Sequence, residues 1–306
     1  MVEGNCWVVV TGGTSGIGLA TIRQLAERGV AVIGIGRSEE RCAEAMEMVG
    51  ESVPHVRVEW LAADLSSLRS VGALAEKVCR TVKGEEDGHL VALINNAATV
   101  SSRHVTTRDG LELQFAVNHA AAFVLEIRLL PLLAASRRGR IINVTTGSHR
   151  SARIRFDDLQ LRRRYGPLRA YGQSKLAQLL VAYELDRRLA RGCGVRSLAF
   201  DPGLVNTGIG EKATGGAARL FWKLRRRAGM DPSVPAATLS RLVTGEVPPG
   251  VYHGVDPSSR PSRTAQDPEL GRRVWETTEQ ITGVLLADNL PLVEDARSEQ
   301  SLETRA

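Results

Sequence analysis

Short apolar runs recur along the first 200 residues at the interval that a chain of alternating strands and helices produces. The runs at 6–10, 31–35, 56–61, 90–94, 140–144 and 195–200 are rich in Val, Ile and Leu. Continuous apolarity over so few residues is what a strand covered on both faces requires. Between them, 18–28, 39–49, 67–82, 110–133 and 168–190 read as helices. This strict alternation predicts an α/β protein: a doubly wound parallel sheet in three α/β/α layers. Right-handed crossovers then gather the strand C-termini at one edge, where ligands bind in such folds.

The rhythm changes after Pro202. Residues 208–230 are rich in Gly, Ala and Arg. A short helix at 234–243, a strand at 251–253, a Pro/Ser/Arg loop at 256–265 and a last helix at 267–281 are expected next. The polar, acidic stretch from Asp288 is expected to fray. The predicted organisation is one domain over 1–287, with a substrate lid at about 208–235, and a flexible tail over 288–306.

Composition narrows the function classes. With 43% hydrophobic and 24% charged residues in 306, the chain has globular values. Aromatic residues are 4% and the net charge is +6, so neither a stacking surface nor a polyanionic partner is indicated, and nucleic acid is not expected. Of the 40 basic residues 35 are Arg, which reads as coding bias. The four cysteines form no CxxC pair and the histidines lack zinc spacing, so reduced thiols and no metal are expected. Residues 1–13 do not read as a signal peptide. No uninterrupted apolar stretch approaches ~18 residues, so no membrane span is predicted and a cytoplasmic location is expected.

The first run leads into Thr11-Gly12-Gly13-Thr14-Ser15-Gly16-Ile17-Gly18 and then a helix. Glycines at 12, 16 and 18 permit a tight turn and a close backbone approach, and the free N–H groups of the helix start favour a pyrophosphate. A glycine-rich turn alone is weak evidence. After a strand, before a helix and in the first βα unit, it is a dinucleotide-binding signal.

The spacing is Gly-x-x-x-Gly-x-Gly, and with it the chain resembles the short-chain dehydrogenase/reductase family. Further motifs follow in order: Asp64-Leu65, Asn95-Asn96-Ala97-Ala98, Asn118, Tyr171-Gly-Gln-Ser-Lys175, and Pro202-Gly203 with Thr207. The resemblance spans roughly 5–283 and is nearest the branch of retinol dehydrogenases and protochlorophyllide reductases. It implies a single-domain Rossmann fold and a nicotinamide dinucleotide. Thr14, Ser15, Gly16 and Ile17 would line the phosphates with the glycines, Asp64 and Leu65 would flank the adenine, and Asn95 and Ala97 would line its ribose. Pro202 and Gly203 would pack on the nicotinamide, with Val205 and Thr207 at its carboxamide.

The second strand ends at Arg37, where an acidic residue would hydrogen-bond the ribose hydroxyls of NAD(H). A guanidinium there pairs with a 2′-phosphate instead, so NADP(H) is favoured over NAD(H).

Tyr171 and Lys175 stand four residues apart and project from one helix face. A phenol with a pKa near ~10 is a poor base at neutral pH, and a neighbouring cation favours its phenolate. Tyr171 would then exchange a proton with a carbonyl or alcohol oxygen, and Lys175 would also bind the nicotinamide ribose. Asn118 would hold a water linking Lys175 to solvent, or cap a helix bend. The usual catalytic serine is absent. An ungapped reading of Asn143-Val-Thr-Thr-Gly-Ser148 puts Thr146 in its place, and Ser148 would face the same side in extended chain.

The small-molecule substrate is expected to be a ketone, an aldehyde or a secondary alcohol. Phe221 and Trp222 of the lid and Arg103 after the Asn-Asn-Ala-Ala turn are the candidate pocket residues, with the Arg225–Arg227 run more often a solvated face. Reduction of a C=C bond, or a catalytically silent dinucleotide-binding scaffold or sensor, are the alternatives. The resemblance also implies a homodimer through the helices after strands four and five, unless the helix bearing Trp275 takes that face. Retinol dehydrogenases often carry an N-terminal membrane anchor, and 1–13 does not read as one, so a soluble biosynthetic or general carbonyl reductase is expected over a retinoid enzyme.

Overall fold

In the computed structural model, described over residues 6–53, 57–136, 138–190, 193–206, 229–245 and 247–289, seven parallel strands form one sheet. They are β1 Cys6–Thr11, β2 Ala31–Gly36, β3 Val58–Ala62, β4 His89–Asn95, β5 Arg140–Val144, β6 Arg196–Asp201 and β7 Tyr252–Gly254, in the order β3-β2-β1-β4-β5-β6-β7. Every pairing is parallel. The winding runs from β1 to β3, then restarts on the other side of β1 at β4. That switch opens a crevice at the C-terminal ends of β1 and β4.

Among the described residues, seven helices cover the sheet: α1 Gly16–Ala26, α2 Glu39–Ser52, α3 Leu68–Lys83, α4 Leu113–Ala135, α5 Pro167–Leu189, α6 Ser233–Thr244 and α7 Pro268–Thr282. Strands and helices lie within a few residues of the positions that periodicity predicts. The strands are apolar on both sides because two separate cores use them. One contains α3, α4 and α5 with Trp7, Ile33, Leu93 and Ile141, and the other contains α1 and α6 with Val8, Val10, Ile142 and Phe200.

α4 is the one helix among the described residues long and apolar enough to cross a membrane, at 23 residues. Most of its surface is spent inside the protein, on the sheet and on α3. It starts later than predicted. Residues before it make a turn at Gly110 and a bridge from Thr106 to Glu112, whose carboxylate accepts the Phe115 N–H and caps the helix. Within α4, Ala116–Ala120 is a π-helical segment. Such bulges concentrate at functional sites.

α7 begins at an Asp267 cap that accepts the N–H groups of Glu269 and Leu270, with Pro268 in the first turn, and stops at Gly283 in left-handed conformation. Its buried face lies on α4 and α5. Trp275 is fully buried, edge-on to Phe123 of α4 with ring centroids 5.0 Å apart, and the Arg188 guanidinium of α5 stacks 4.5 Å from its ring. Arg140 is buried at the start of β5 and donates to the carbonyls of Leu242, Val243 and Gly245, closing the negative end of α6.

Candidate active site

The glycine-rich turn lies in the crevice. Gly12 has φ +66°, a left-handed backbone that glycine adopts without cost. Gly18 packs so tightly on the turn that an added Cβ would meet the Gly12 carbonyl and lie 2.6 Å from Asn96 Nδ2. Ser15 caps α1 in extended conformation without using its side chain, and no acidic residue occupies the first turn. Unspent N–H groups and an unopposed helix dipole therefore face outward there, with Thr14 half-buried beside them. These features fit a dinucleotide pyrophosphate.

The turn is held by side chains at the ends of β1 and β4. Asn96 Nδ2 donates to the carbonyls of Thr11 (2.9 Å) and Gly12 (3.2 Å). Thr11 Oγ1 accepts the N–H groups of Asn96 and Ala97, both at 3.0 Å. The end of β4 is thus tied to the end of β1 across the switch point. Asn95, expected beside the ribose, keeps its side chain buried. Its amide is turned into the core, donating to Glu126 Oε1 at 2.9 Å and Asn143 Oδ1 at 3.2 Å. A seven-residue strand alternates sides, and position 95 falls on the inward one.

Arg37 is exposed at the end of β2 and makes no hydrogen bond or ion pair with another described residue. Asp64, at the end of the neighbouring strand, is exposed, but its carboxylate is taken by the Ser66 N–H and hydroxyl. It closes its own turn, and Leu65 beside it is half-buried.

Tyr171 and Lys175 are both buried on α5. Tyr171 packs with Val100 and Ala98 of the loop after β4. Lys175 Nζ donates to the Val144 carbonyl at 2.8 Å and to Gln178 Oε1 at 3.0 Å. Burial pulls its pKa down to about 7. Asn118 lies in the π-helical segment of α4, completely buried. Its Oδ1 accepts the Thr99 N–H at 2.7 Å, and its Nδ2 donates to the Thr99 carbonyl (3.1 Å) and to Ser174 Oγ (3.0 Å). One amide therefore joins three elements: the loop after β4, α4 and the helix of Tyr171 and Lys175.

Thr146 follows β5 in extended conformation and is half-buried, with its hydroxyl unbonded to any other described residue. Its carbonyl accepts Nδ1–H of the buried His149 at 2.7 Å, while His149 Nε2 accepts the Ser262 N–H at 3.2 Å. That pair of bonds fixes the tautomer. Desolvation pushes the His149 pKa below its ordinary value, and the ring serves as a clamp. Ser148 does not meet the condition of extended chain on which its role was expected. The chain is not extended there, because Gly147–Ser151 is a 3-10 turn packed against α5, so an offset of two residues does not keep Ser148 on the face of Thr146.

Pro202 and Gly203 turn at the end of β6. The buried Asp201 accepts the Gly203 N–H at 3.0 Å and the Tyr252 hydroxyl at 2.7 Å. Val205 bridges to Met230, with Met230 N–H donating to the Leu204 carbonyl and Asn206 N–H to the Met230 carbonyl. The two ends of the proposed lid are stapled together beside the turn. Thr207, Phe221, Trp222 and Arg225–Arg227 lie outside the described residues. Arg103 is exposed on the loop after Ala98, where its backbone bonds the Ser101 hydroxyl.

A glycine-rich cradle at a switch point, with a buried Tyr/Lys pair on the helix after β5, defines a dinucleotide-dependent oxidoreductase. Comparison with known proteins gives the family: the short chain dehydrogenase profile matches residues 6–216, and the chain belongs to that family. It is 37% identical to retinol dehydrogenase 13 of Mus musculus over 297 residues, covering 93% of this chain and 86% of the mouse protein. It is 35% identical to polyprenol dehydrogenase of Mus musculus, covering 90% and 83% of the two chains. A solved structure of an uncharacterised protein from Mycobacterium Paratuberculosis superposes with a TM-score of 0.71 at 30% identity, covering 93% and 95%. A short-chain dehydrogenase from Sphingobium yanoikuyae in complex with NADPH shares the fold, with a TM-score of 0.63 at 20% identity and coverage of 92% and 95%. The chain is thus an oxidoreductase acting on CH–OH groups, and its family binds a nicotinamide dinucleotide.

Proposed function

We propose that this oxidoreductase uses NADP(H), acts on an apolar alcohol or the matching aldehyde or ketone, and employs Tyr171 as general acid and base. The buried Tyr171–Lys175 pair, locked to Asn118 through Ser174, carries this reading. The bound dinucleotide supplies or accepts a hydride. The protein's own part is to bind, orient and move a proton. Tyr171 Oη gives its proton to the carbonyl oxygen in reduction and takes it from the alcohol in oxidation. Lys175, with its pKa near neutrality, stabilises the phenolate when charged. Thr146 Oγ1, unbonded to other described residues, donates to the substrate oxygen. Its methyl group narrows the pocket relative to serine.

Arg37 supports the choice of dinucleotide: its guanidinium is exposed at the end of β2, where a 2′-phosphate is recognised in this fold. The relatives' names support the substrate class, because retinol and polyprenol are both apolar isoprenoid alcohols. A cytoplasmic location remains part of the proposal. The test is titration with NADPH and NADH by nicotinamide fluorescence, then turnover of isoprenoid aldehydes and simple ketones. NADPH should bind more tightly by about tenfold or more, and Arg37→Ala should remove that preference while leaving NADH unchanged. Tyr171→Phe should abolish turnover and keep NADPH binding. Equal affinities, or turnover surviving in Tyr171→Phe, would overturn the respective parts.

A further inference from the structure

Beneath the catalytic helix, five polar side chains from β4, β5, α4 and α5 form one buried hydrogen-bonded chain across the sheet. Lys175 Nζ donates to Gln178 Oε1 (3.0 Å), and Gln178 Nε2 donates to Asn143 Oδ1 (3.0 Å). Asn95 Nδ2 donates to the same Asn143 oxygen (3.2 Å) and to Glu126 Oε1 (2.9 Å). Asn95 and Asn143 are register partners on adjacent strands, which sets their amides side by side. All five residues are buried.

Glu126 is the unexpected member. It projects from a helix whose other buried positions nearby are Ala, Phe, Val, Leu and Ile, and a carboxyl is costly to place in such surroundings unless it is partnered. A side-chain amide fits its space equally well in either sense, so the groups at the ends of such a chain decide which way each amide points. The Lys175 ammonium only donates, so Gln178 must offer it an oxygen. At the other end Glu126 Oε1 accepts from Asn95, which turns its NH2 that way. The two demands agree at Asn143 Oδ1, which accepts from both sides.

We propose that Glu126 is a positioning residue for Lys175, fixing the sense of the Asn95–Asn143–Gln178 chain so that an amide oxygen is held against the lysine. This rests on the reading of Lys175 as part of the catalytic machinery. Burial raises the Glu126 pKa to about 8, so at neutral pH the group is mainly the uncharged acid, whose carbonyl oxygen still accepts from Asn95. Lys175 is the other ionisable member of the chain. The groups on the sheet that face Glu126 are the uncharged Asn95 and Asn143, and no charged described residue contributes to its environment.

The chain has five lysines, so the full-length protein labelled with ¹³C-lysine gives a resolvable set of side-chain resonances, with Lys175 assigned by Lys175→Met. Glu126→Gln should leave the Lys175 titration as in wild type, because its amide oxygen replaces the lost acceptor. Glu126→Met should lower the Lys175 pKa by about half a unit or more, since an unanchored Gln178 no longer holds its oxygen on the ammonium. Turnover should fall about tenfold while NADPH affinity stays the same. Should Glu126→Met fail to fold, Glu126→Thr keeps a polar side chain too short to reach Asn95, and the same downward shift is expected. A Lys175 titration unchanged in the folded Met or Thr variant would overturn the proposal. The titration needs no substrate, so a protein that turns over nothing tested would refute the catalytic reading without touching this result.

Discussion

Asn118 and Ser174 are joined side chain to side chain: the Asn118 amide donates to Ser174 Oγ at 3.0 Å, and Ser174 Oγ passes its own proton to the carbonyl of Tyr171 at 2.9 Å. The π-helical segment of α4 is thereby coupled to the turn of α5 that carries the tyrosine. Asn118→Ala would remove three hydrogen bonds, two to the half-buried Thr99 backbone and one to the Ser174 hydroxyl. A stability loss of about 3 kcal/mol is expected in urea unfolding, at roughly 1 kcal/mol for each hydrogen bond lost. Turnover should fall even under conditions where the variant remains folded.

Gly18 answers a different question. A methyl group there collides with the Gly12 carbonyl and crowds the Asn96 amide, so the turn must open to admit it. Gly18→Ala should weaken binding of both dinucleotides by about a hundredfold in a fluorescence titration. The far-ultraviolet circular dichroism should stay native, because the collision is confined to the mouth of the crevice.

His119 gives the protein an acid-sensitive joint. It is fully buried, and its Nε2 lies 2.9 Å from Thr278 Oγ1, whose own proton goes to the Val274 carbonyl at 2.7 Å. The ring nitrogen must therefore be the donor. Desolvation holds the His119 pKa down to about 3 against an ordinary 6.5. The folded state then binds fewer protons than the unfolded state between those values. The stability from the neutral ring is complete above pH 6.5 and drains away as the pH falls toward 3. Glu126 acts in the opposite sense, its contribution being present at acid pH and lost as the pH rises toward 8. The histidine is isolated by comparison with His119→Asn: wild type should lose a few kcal/mol more than the variant between about pH 6.5 and about pH 4. Parallel curves would show that the ring does not carry the effect.

The parallel sheet and nearly every helix were legible in the sequence because buried strands and amphipathic helices leave periodic traces. The cradle was legible because glycine spacing is a backbone requirement. Four features left no such trace. The inward turn of Asn95 depends on which side of β4 its position falls. The 3-10 turn that removes Ser148 from the face of Thr146 follows from packing on α5. Arg140 was hidden among 35 arginines that read as coding bias, yet it closes the end of α6 from inside the protein. Glu126 was passed over because an acid within an apolar helix looks like a surface position until both of its neighbours are known.

The placement of α7 has a consequence for synthesis. Nearly every described contact that builds the dinucleotide cradle comes from residues before 205, whereas the contacts of Trp275 with Phe123 and of Thr278 with His119 come from α7, which begins at Pro268. A nascent chain halted before residue 268 already carries the cradle but leaves one flank of the Asn118 segment bare. Support for the Asn118 segment is thus the part of the site that depends on α7, and the cradle is the part that does not.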